Sequence, residues 1–304
     1  MSTVAAKPGP KPRSYGARAL QFSGDEQRPT ALSLFSGIGG MDLGFEAAGF
    51  RLVGAVEIDP VARQTMAANR PDWKLLTPCD AITFARRVHP RDLGLEVGEL
   101  GVIMGGPPCQ PFSKAAQWTS TGRQGMQDFR AGTLGALLKI VDRFLPHAIL
   151  LENVPGFLAG PANAASFIQQ GLRRINSKHG TAYSLHARVV NAADYGVPQI
   201  RERVMAVAMR HGGDFVWPLP TCTDPITAWD ALHNIRTHNP PLASGRWAEL
   251  LPSIPEGHNY QWFTTKGGGP PLFGYRTRYW TFLLKLSKHK PAWTLTAQAG
   301  PANG

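Results

Sequence analysis

The sequence predicts an α/β fold: a mostly parallel sheet covered on both faces by helices, followed by a smaller irregular domain. Three observations carry this. Short apolar runs alternate with helical segments from Thr30 to Met209, the pattern of strands joined by crossover helices. Two of the predicted strands run straight into glycine- or proline-rich turns, where such sheets keep ligands and reactive groups. After His211 the alternation stops, and Pro, Gly, Trp and His become frequent.

The elements follow in order. Ala31 to Leu34 reads as a strand and Gly39 to Ala48 as a helix, with Gly49 as its stop signal. Leu52 to Val56 is a second strand, and Pro60 to Asn69 a helix opened by proline. Gly101 to Met104 is a buried strand that ends in Gly105-Gly106-Pro107-Pro108. Leu134 to Phe144 is helical, and Ala148 to Leu151 is a strand ending at Glu152. Ala164 to Ser177 is a helix with Asn163 as candidate N-cap. Ser184 to Val190 and Val204 to Met209 are further strands. Residues Met1 to Arg28 are polar, basic and rich in Pro and Gly, and read as a flexible tail.

Composition bounds the function. A chain of 304 residues with 43% hydrophobic and 17% charged residues can build one large domain, or one large and one small. No apolar run approaches the roughly 18 residues of a membrane span, and no apolar signal segment opens the chain. The three cysteines, Cys79, Cys109 and Cys222, show no C-x-x-C spacing, so no metal is expected and a reducing cytoplasm is the simplest home. Thirty-two basic against 21 acidic residues give a formal charge of +11, an excess that suits a polyanionic partner. From Asn259 onward there are six Lys or Arg, nine aromatics and no Asp or Glu. Such interleaving suits phosphate contacts and base stacking, although some of these rings belong to a core.

Two motifs carry the chemistry. Leu34-Phe35-Ser36-Gly37-Ile38-Gly39-Gly40 lies between the first strand and the first helix, where glycines let backbone approach a ligand at a positive helix end. Glu57 closes the second strand, 20 residues after Gly37, in the usual place of a carboxylate that binds ribose hydroxyls. Taken alone, this fits a nicotinamide cofactor, S-adenosylmethionine or a merely tight turn. Asp80 could accept a hydrogen bond from an adenine amino group, although by itself such a residue is more often a helix N-cap. The second motif is Gly105-Gly106-Pro107-Pro108-Cys109-Gln110-Pro111-Phe112-Ser113: a thiol just past a strand, in backbone stiffened by proline. A nicotinamide-dependent dehydrogenase gives no account of it.

This nonapeptide resembles the catalytic motif of the DNA cytosine-5 methyltransferases. Phe35 to Gly40 is similar to that family's cofactor motif. Glu152-Asn153-Val154, 43 residues after Cys109, resembles its third hallmark. Asp194 to Arg203 contains the Gln199-x-Arg201-x-Arg203 pattern. A looser likeness covers Arg278 to Asn303. The resemblance implies a Rossmann-like, S-adenosylmethionine-dependent methyltransferase sheet over 29–210, a target-recognition region over 211–277, and a return segment over 278–304. It implies cofactor contacts at Phe35, Ser36, Gly37, Gly39, Gly40, Glu57, Ile58, Asp80 and Pro107.

It also implies a reaction. Carbon 5 of cytosine is a poor nucleophile; adding a thiolate from Cys109 to carbon 6 makes the ring an enamine that attacks a methyl sulfonium. Glu152 serves ring nitrogen 3, a task that favours a dry carboxyl able to take up a proton. Arg203 holds the ring carbonyl oxygen, Arg201 braces the site or touches phosphate, and Asn153 fixes the loop that carries Cys109. The base must be flipped out of double-stranded DNA, and Lys114 to Arg130 reads as a loop that closes over it. Gln110, Ser113, Lys114, Arg236, His238, Arg246, Lys266, Arg276 and Arg278 are the candidate DNA contacts, with phosphate as the default role of the basic ones.

Members of this family usually continue to a helix that packs beside the cofactor motif. No segment here resembles it. The reading therefore expects a fragment, with a second chain supplying the helix or a loss of activity as the other outcomes, and weak cofactor binding by this chain alone. Alternatives to DNA methylation are a tRNA cytosine-5 methyltransferase and an impaired nucleic-acid-binding fragment. A cognate restriction endonuclease and a bacterial cytoplasm or nucleoid complete the expected setting.

Overall fold

The computed structural model describes residues 28–108, 131–159, 163–236, 242–276 and 281–295. They form two compact units: one comprises 28–190 and 202–217, the other 191–201 and 218–295.

The first unit is built on one six-stranded sheet in the order β2-β1-β3-β4-β6-β5. Its strands are β1 (Thr30–Leu34), β2 (Arg51–Val56), β3 (Val102–Gly105), β4 (Ala148–Asn153), β5 (His186–Asn191) and β6 (Glu202–Met209). β1 pairs in parallel with β2 and β3, and β3 with β4. β6 runs antiparallel to β4, with Met205 opposite Glu152 and Val204 opposite Asn153. This is the mostly parallel α/β sheet that the alternating pattern predicts.

Helices α1 (Gly40–Ala47), α2 (Pro60–Asn69), α3 (Ala81–Arg87), α4 (Ala131–Phe144) and α5 (Ala164–His179) connect the strands. Their ends are set by the sequence. Asp59 caps α2 by accepting from Ala62 N at 2.8 Å, with Pro60 in the first turn. Asn163 caps α5 through Ser166 N at 2.8 Å, and left-handed Gly180 ends it. Helix α3 has no counterpart among the sequence-predicted elements; its seven residues are too few for a periodic signal.

Side-chain alternation along β1 divides the core. Leu32 and Leu34 join Ile103, Ile149 and Leu151 against Phe84 of α3, Leu137 and Phe144 of α4 and Ile168 and Leu172 of α5. Ala31, Val102 and Met104 form a smaller cluster on the other face, with Met41 and Phe45 of α1. Phe84, Phe144 and Phe157 are fully buried, each contributing about 1.5–3 kcal/mol from burial.

Among its described residues the second unit has little regular structure: α6 (Ala228–Leu232) and short 3-10 segments at Ala192–Tyr195, Ala248–Ser253 and Tyr260–Phe263. Aromatic packing holds it. Tyr260 and Phe263 are buried with Ile254 and Leu283, and Phe273, Phe282, Trp247 and Trp262 pack around them. Much of the aromatic excess in the C-terminal stretch is therefore core. A parallel bridge joins Gln199 to Ala292, flanked by Ile200 N to Ala292 O at 2.8 Å and Ala292 N to Pro198 O at 2.9 Å. Among the described residues, no helix is long and apolar enough to cross a membrane.

Candidate active site

The parallel strands bring their C-terminal ends to one edge, and the candidate residues of the first unit collect there. β1 ends at Leu34, and Phe35 turns the chain with a positive φ of 56° while its N–H donates to Val56 O at 2.8 Å. Gly37 N then donates to Glu57 Oε2 at 2.7 Å, and Asp59 N to Glu57 Oε1 at 2.8 Å. Glu57 thus ties the glycine turn to the entrance of α2 with both oxygens. Beneath the turn, the Ser33 and Ser36 hydroxyls share a hydrogen bond of 2.8 Å. Ile38 and Ile58, on the two sides of Glu57 in the chain, are 67% and 66% exposed.

Gly39 caps α1 in a left-handed conformation, φ 87°, which an L side chain rarely adopts. A Cβ there would stand 2.7 Å from the Trp73 ring. Trp73 is itself fixed: its Nε1 donates to Glu46 Oε1 at 3.1 Å, and Arg70 Nε meets Glu46 Oε2 at 3.0 Å. The hydrogen bond from Trp73, with help from Arg70, holds the Glu46 carboxyl below the usual carboxylate range against the opposing effect of desolvation. Trp73 and Glu46 were not among the sequence candidates, because nothing in spacing ties them to Gly39.

Asp42 lies in the first turn of α1 and is wholly buried. Neither carboxylate oxygen completes a hydrogen bond. Burial pushes its pKa up, with the neighbouring Ser33 hydroxyl pulling the other way. Asp80 caps α3, accepting from Ile82 N at 3.3 Å and from Thr83 N at 2.8 Å. Desolvation raises its pKa, but the Thr83 and Ile82 hydrogen bonds outweigh this and hold it low.

The next two strands bring the catalytic candidates. β3 leads through Gly106 and Pro107 toward Cys109; Cys109, Gln110, Ser113, Lys114 and the Lys114–Arg130 segment lie outside the described residues. Asn153, 3% exposed at the end of β4, donates from Nδ2 to Pro107 O at 3.0 Å and accepts from Val154 N at 2.9 Å. It anchors the chain two residues before Cys109. Glu152 faces β6, where Arg203 Nε meets Glu152 Oε1 at 3.1 Å; their side chains are 27% and 19% exposed. The β4–β6 register explains the pair: Arg203 lies two residues before Met205, on the face that Glu152 shares. A Cβ at Gly106 would stand 3.3 Å from Glu152 Oε2, so glycine leaves room beside that carboxylate.

The remaining candidates fall in the second unit. Arg201 is half-buried there, its N–H donating to Asn191 Oδ1 at 2.9 Å. Arg236, Arg246, Lys266 and Arg276 are exposed. Arg246 stacks over Trp247 at 4.6 Å, and Lys266 over Tyr275 at 4.1 Å. His238 and Arg278 lie outside the described residues.

A glycine turn on β1, a carboxylate at the end of β2, and an acid–arginine pair beside a proline-rich loop define a cofactor-dependent transferase sheet. The family description "C-5 cytosine-specific DNA methylase" matches residues 30–249, and the chain belongs to that family. The chain is 34% identical to the Type II methyltransferase M.SacI of Streptomyces achromogenes, over 89% of this chain and 75% of the relative. It is 39% identical to the Type II methyltransferase M.AquIA of Picosynechococcus, over 62% of this chain and 75% of that one. A solved structure of a candidate DNA modification methyltransferase encoded within an Escherichia coli prophage superposes with a TM-score of 0.51 at 28% identity, over 68% of this chain and 55% of that chain. The chain thus spans about three quarters of the two curated relatives and just over half of the solved neighbour. The protein is a DNA methyltransferase of the cytosine C-5 class by family, with S-adenosylmethionine as that family's methyl donor. These descriptions do not favour the tRNA alternative.

The turn fits that donor. Around the positions where a Cβ would stand at Gly37 and Gly40, no atom of the described residues beyond the adjoining backbone lies within 4 Å. This open space adjoins the positive end of α1 and the Glu57 carboxylate, which suits a ligand bearing ribose hydroxyls and polar groups.

Proposed function

We propose that this chain methylates carbon 5 of a flipped-out cytosine in double-stranded DNA, through a covalent adduct between Cys109 and carbon 6. The observation that carries the reading is the Glu152–Arg203 pair at 3.1 Å, next to Asn153, whose side chain anchors the loop that leads to Cys109.

The thiolate of Cys109 adds to carbon 6 and pushes electron density toward nitrogen 3 and the ring carbonyl. Glu152 meets nitrogen 3 with a hydrogen bond or a proton, and the Arg203 guanidinium neutralises charge growing on the carbonyl oxygen. S-adenosylmethionine, when bound, supplies an electrophilic methyl group. The Phe35–Gly40 turn would cradle it, Glu57 would take its ribose hydroxyls, Asp80 would accept from its adenine amino group, and Ile58 and Pro107 would complete the pocket. Loss of the carbon 5 proton and expulsion of the thiol then restore aromaticity. Gln110, Ser113, Lys114, Arg201, Arg236, Arg246, Lys266, Arg276 and Arg278 contact the DNA or brace the site, the basic ones mainly at phosphate. Residues 211–277 read the target within this scheme, and 278–304 return the chain to the sheet. A cognate restriction endonuclease in a bacterial cytoplasm is the natural companion of such an activity.

Bisulfite sequencing of DNA from cells expressing the chain tests this directly. Protected cytosines within one short sequence are expected, and none with Cys109→Ser. A stable adduct on 5-fluorocytosine duplex DNA, lost in the same variant, tests the covalent step. Protection that survives Cys109→Ser would overturn the mechanism.

A further inference from the structure

We infer that a pocket inside the second unit takes up one unstacked nucleotide of the DNA, other than the cytosine that reacts; this rests on the DNA reading above. The pocket measures about 310 Å³ and is lined by Trp262, Trp293, Leu284, His258, Gln261 and Lys266. That is at the small end of ligand pockets, of nucleotide size rather than groove size.

The wall is built rather than incidental. Residues 267–269 are three consecutive glycines that pass over Trp262. A Cβ on Gly268 would stand 2.5 Å from the indole Cη2, and one on Gly269 2.6 Å from Nε1. Only a glycine ribbon can lie this close, and Gly269 N seals it by donating to Trp262 O at 3.0 Å. On the opposite side, the chain at 257–260 is pinned to 282–285. Gly257 N donates to Lys285 O at 2.9 Å, Lys285 N to His258 O at 2.9 Å, and Tyr260 N to Phe282 O at 3.0 Å. The His258 ring stands edge-on to Trp262, with centroids 5.6 Å apart.

The lining chemistry selects the ligand. Trp262 and Trp293, the latter 39% exposed, offer π faces for stacking. Gln261 and His258 carry donors and acceptors that match the edge of a base. Lys266, exposed at the rim over Tyr275, supplies a cation for the attached phosphate. A flat ring with hydrogen-bonding edges and a phosphate is a nucleotide, and inside a duplex both faces of its base are covered. Flipping the target cytosine leaves its former partner unpaired, so the proposed reaction itself generates a base that can enter.

The test uses a short single strand carrying one 2-aminopurine, whose fluorescence is quenched by stacking. Wild-type protein is expected to quench it on binding. Trp293→Ala should bind about tenfold more weakly and quench less, in line with the known worth of base–aromatic stacking. Trp293→Phe, which keeps a stacking face, should bind within about twofold of wild type. Equal affinity and quenching in wild type and Trp293→Ala would overturn the pocket, as would weakening by Lys266→Ala alone, which marks plain phosphate attraction. The 5-fluorocytosine adduct separates the two readings. An adduct with no effect of Trp293→Ala on the probe removes the pocket alone; no adduct with wild type, while Trp293→Ala still weakens and dequenches the probe, removes the methylation reading and leaves a nucleotide pocket.

Discussion

Arg203 Nε stands 3.1 Å from Glu152 Oε1, across the antiparallel join of β4 and β6. The two groups proposed to serve neighbouring atoms on one edge of the cytosine ring, nitrogen 3 and the carbonyl oxygen, are thus paired with each other in the free protein. Removing either should cost turnover more than binding. Glu152→Gln is expected to lower the single-turnover methylation rate about 100-fold or more, with cofactor affinity within about twofold. Arg203→Lys keeps the charge but not the planar fork, and should fall between wild type and Arg203→Ala. Rates for all three within a factor of about two of wild type would remove these residues from the chemistry.

The Trp73 ring supports Gly39 from below and is held by Glu46. Trp73→Ala should loosen the glycine turn and weaken S-adenosylmethionine binding about five- to tenfold, a loss of about 1–1.4 kcal/mol. The rate at saturating cofactor should hardly change. Gly39→Ala meets both a left-handed φ and the Trp73 ring, so a larger loss with about 1–3 kcal/mol of destabilisation is expected. Calorimetric titration with the cofactor, beside thermal unfolding, separates the two effects.

Asp42 gives the chain a pH signature. Its pKa is raised by burial, so the folded state prefers the protonated carboxyl. That contribution to stability is fully present below the unfolded pKa and is lost as pH rises through the folded one. Asp42→Asn mimics the neutral form. Its unfolding free energy should match that of wild type in acid and exceed it at neutral and alkaline pH, by about 1–3 kcal/mol, with the unfolding midpoint shifting in the same sense. Equal midpoints across the range would show that the carboxylate is solvated after all.

Asn153 makes a buried hydrogen bond to Pro107 O and a partly buried one from Val154 N. Asn153→Ala should destabilise the protein by about 1–3 kcal/mol through the orphaned backbone groups. It should also slow adduct formation on 5-fluorocytosine DNA more than it weakens duplex binding, since the cysteine loop loses its anchor. Stopped-flow binding and gel-resolved adduct kinetics check the two sides.

The sheet and the family were legible in the sequence because both rest on local signals: apolar runs bounded by turns, and short motifs such as Pro107-Pro108-Cys109-Gln110. Relationships that depend on register were not. Glu152 and Arg203 were given separate tasks on one ring, and only the pairing of Met205 with Glu152 makes them neighbours. Glu46 and Trp73 are 27 residues apart, with a strand and a helix between them, so no spacing rule links them. In the second unit, core aromatics such as Tyr260 and Phe273 cannot be told by composition from surface aromatics such as Trp293, because without a helical or strand period nothing indicates which way a ring points.

The connection between β5 and β6 does not group with its flanks: residues 191–201 belong with 218–295, while 202–217 belong with the sheet. With target reading assigned to this second unit, as proposed above, exchange of DNA specificity would need a discontinuous unit. A recombination event that imported a new sequence only downstream of 218 would leave the old 198–200 strip facing a foreign partner at the Ala292 bridge. On that proposal a functional chimaera carries both segments together, as two pieces of chain separated by residues 202–217, which include β6.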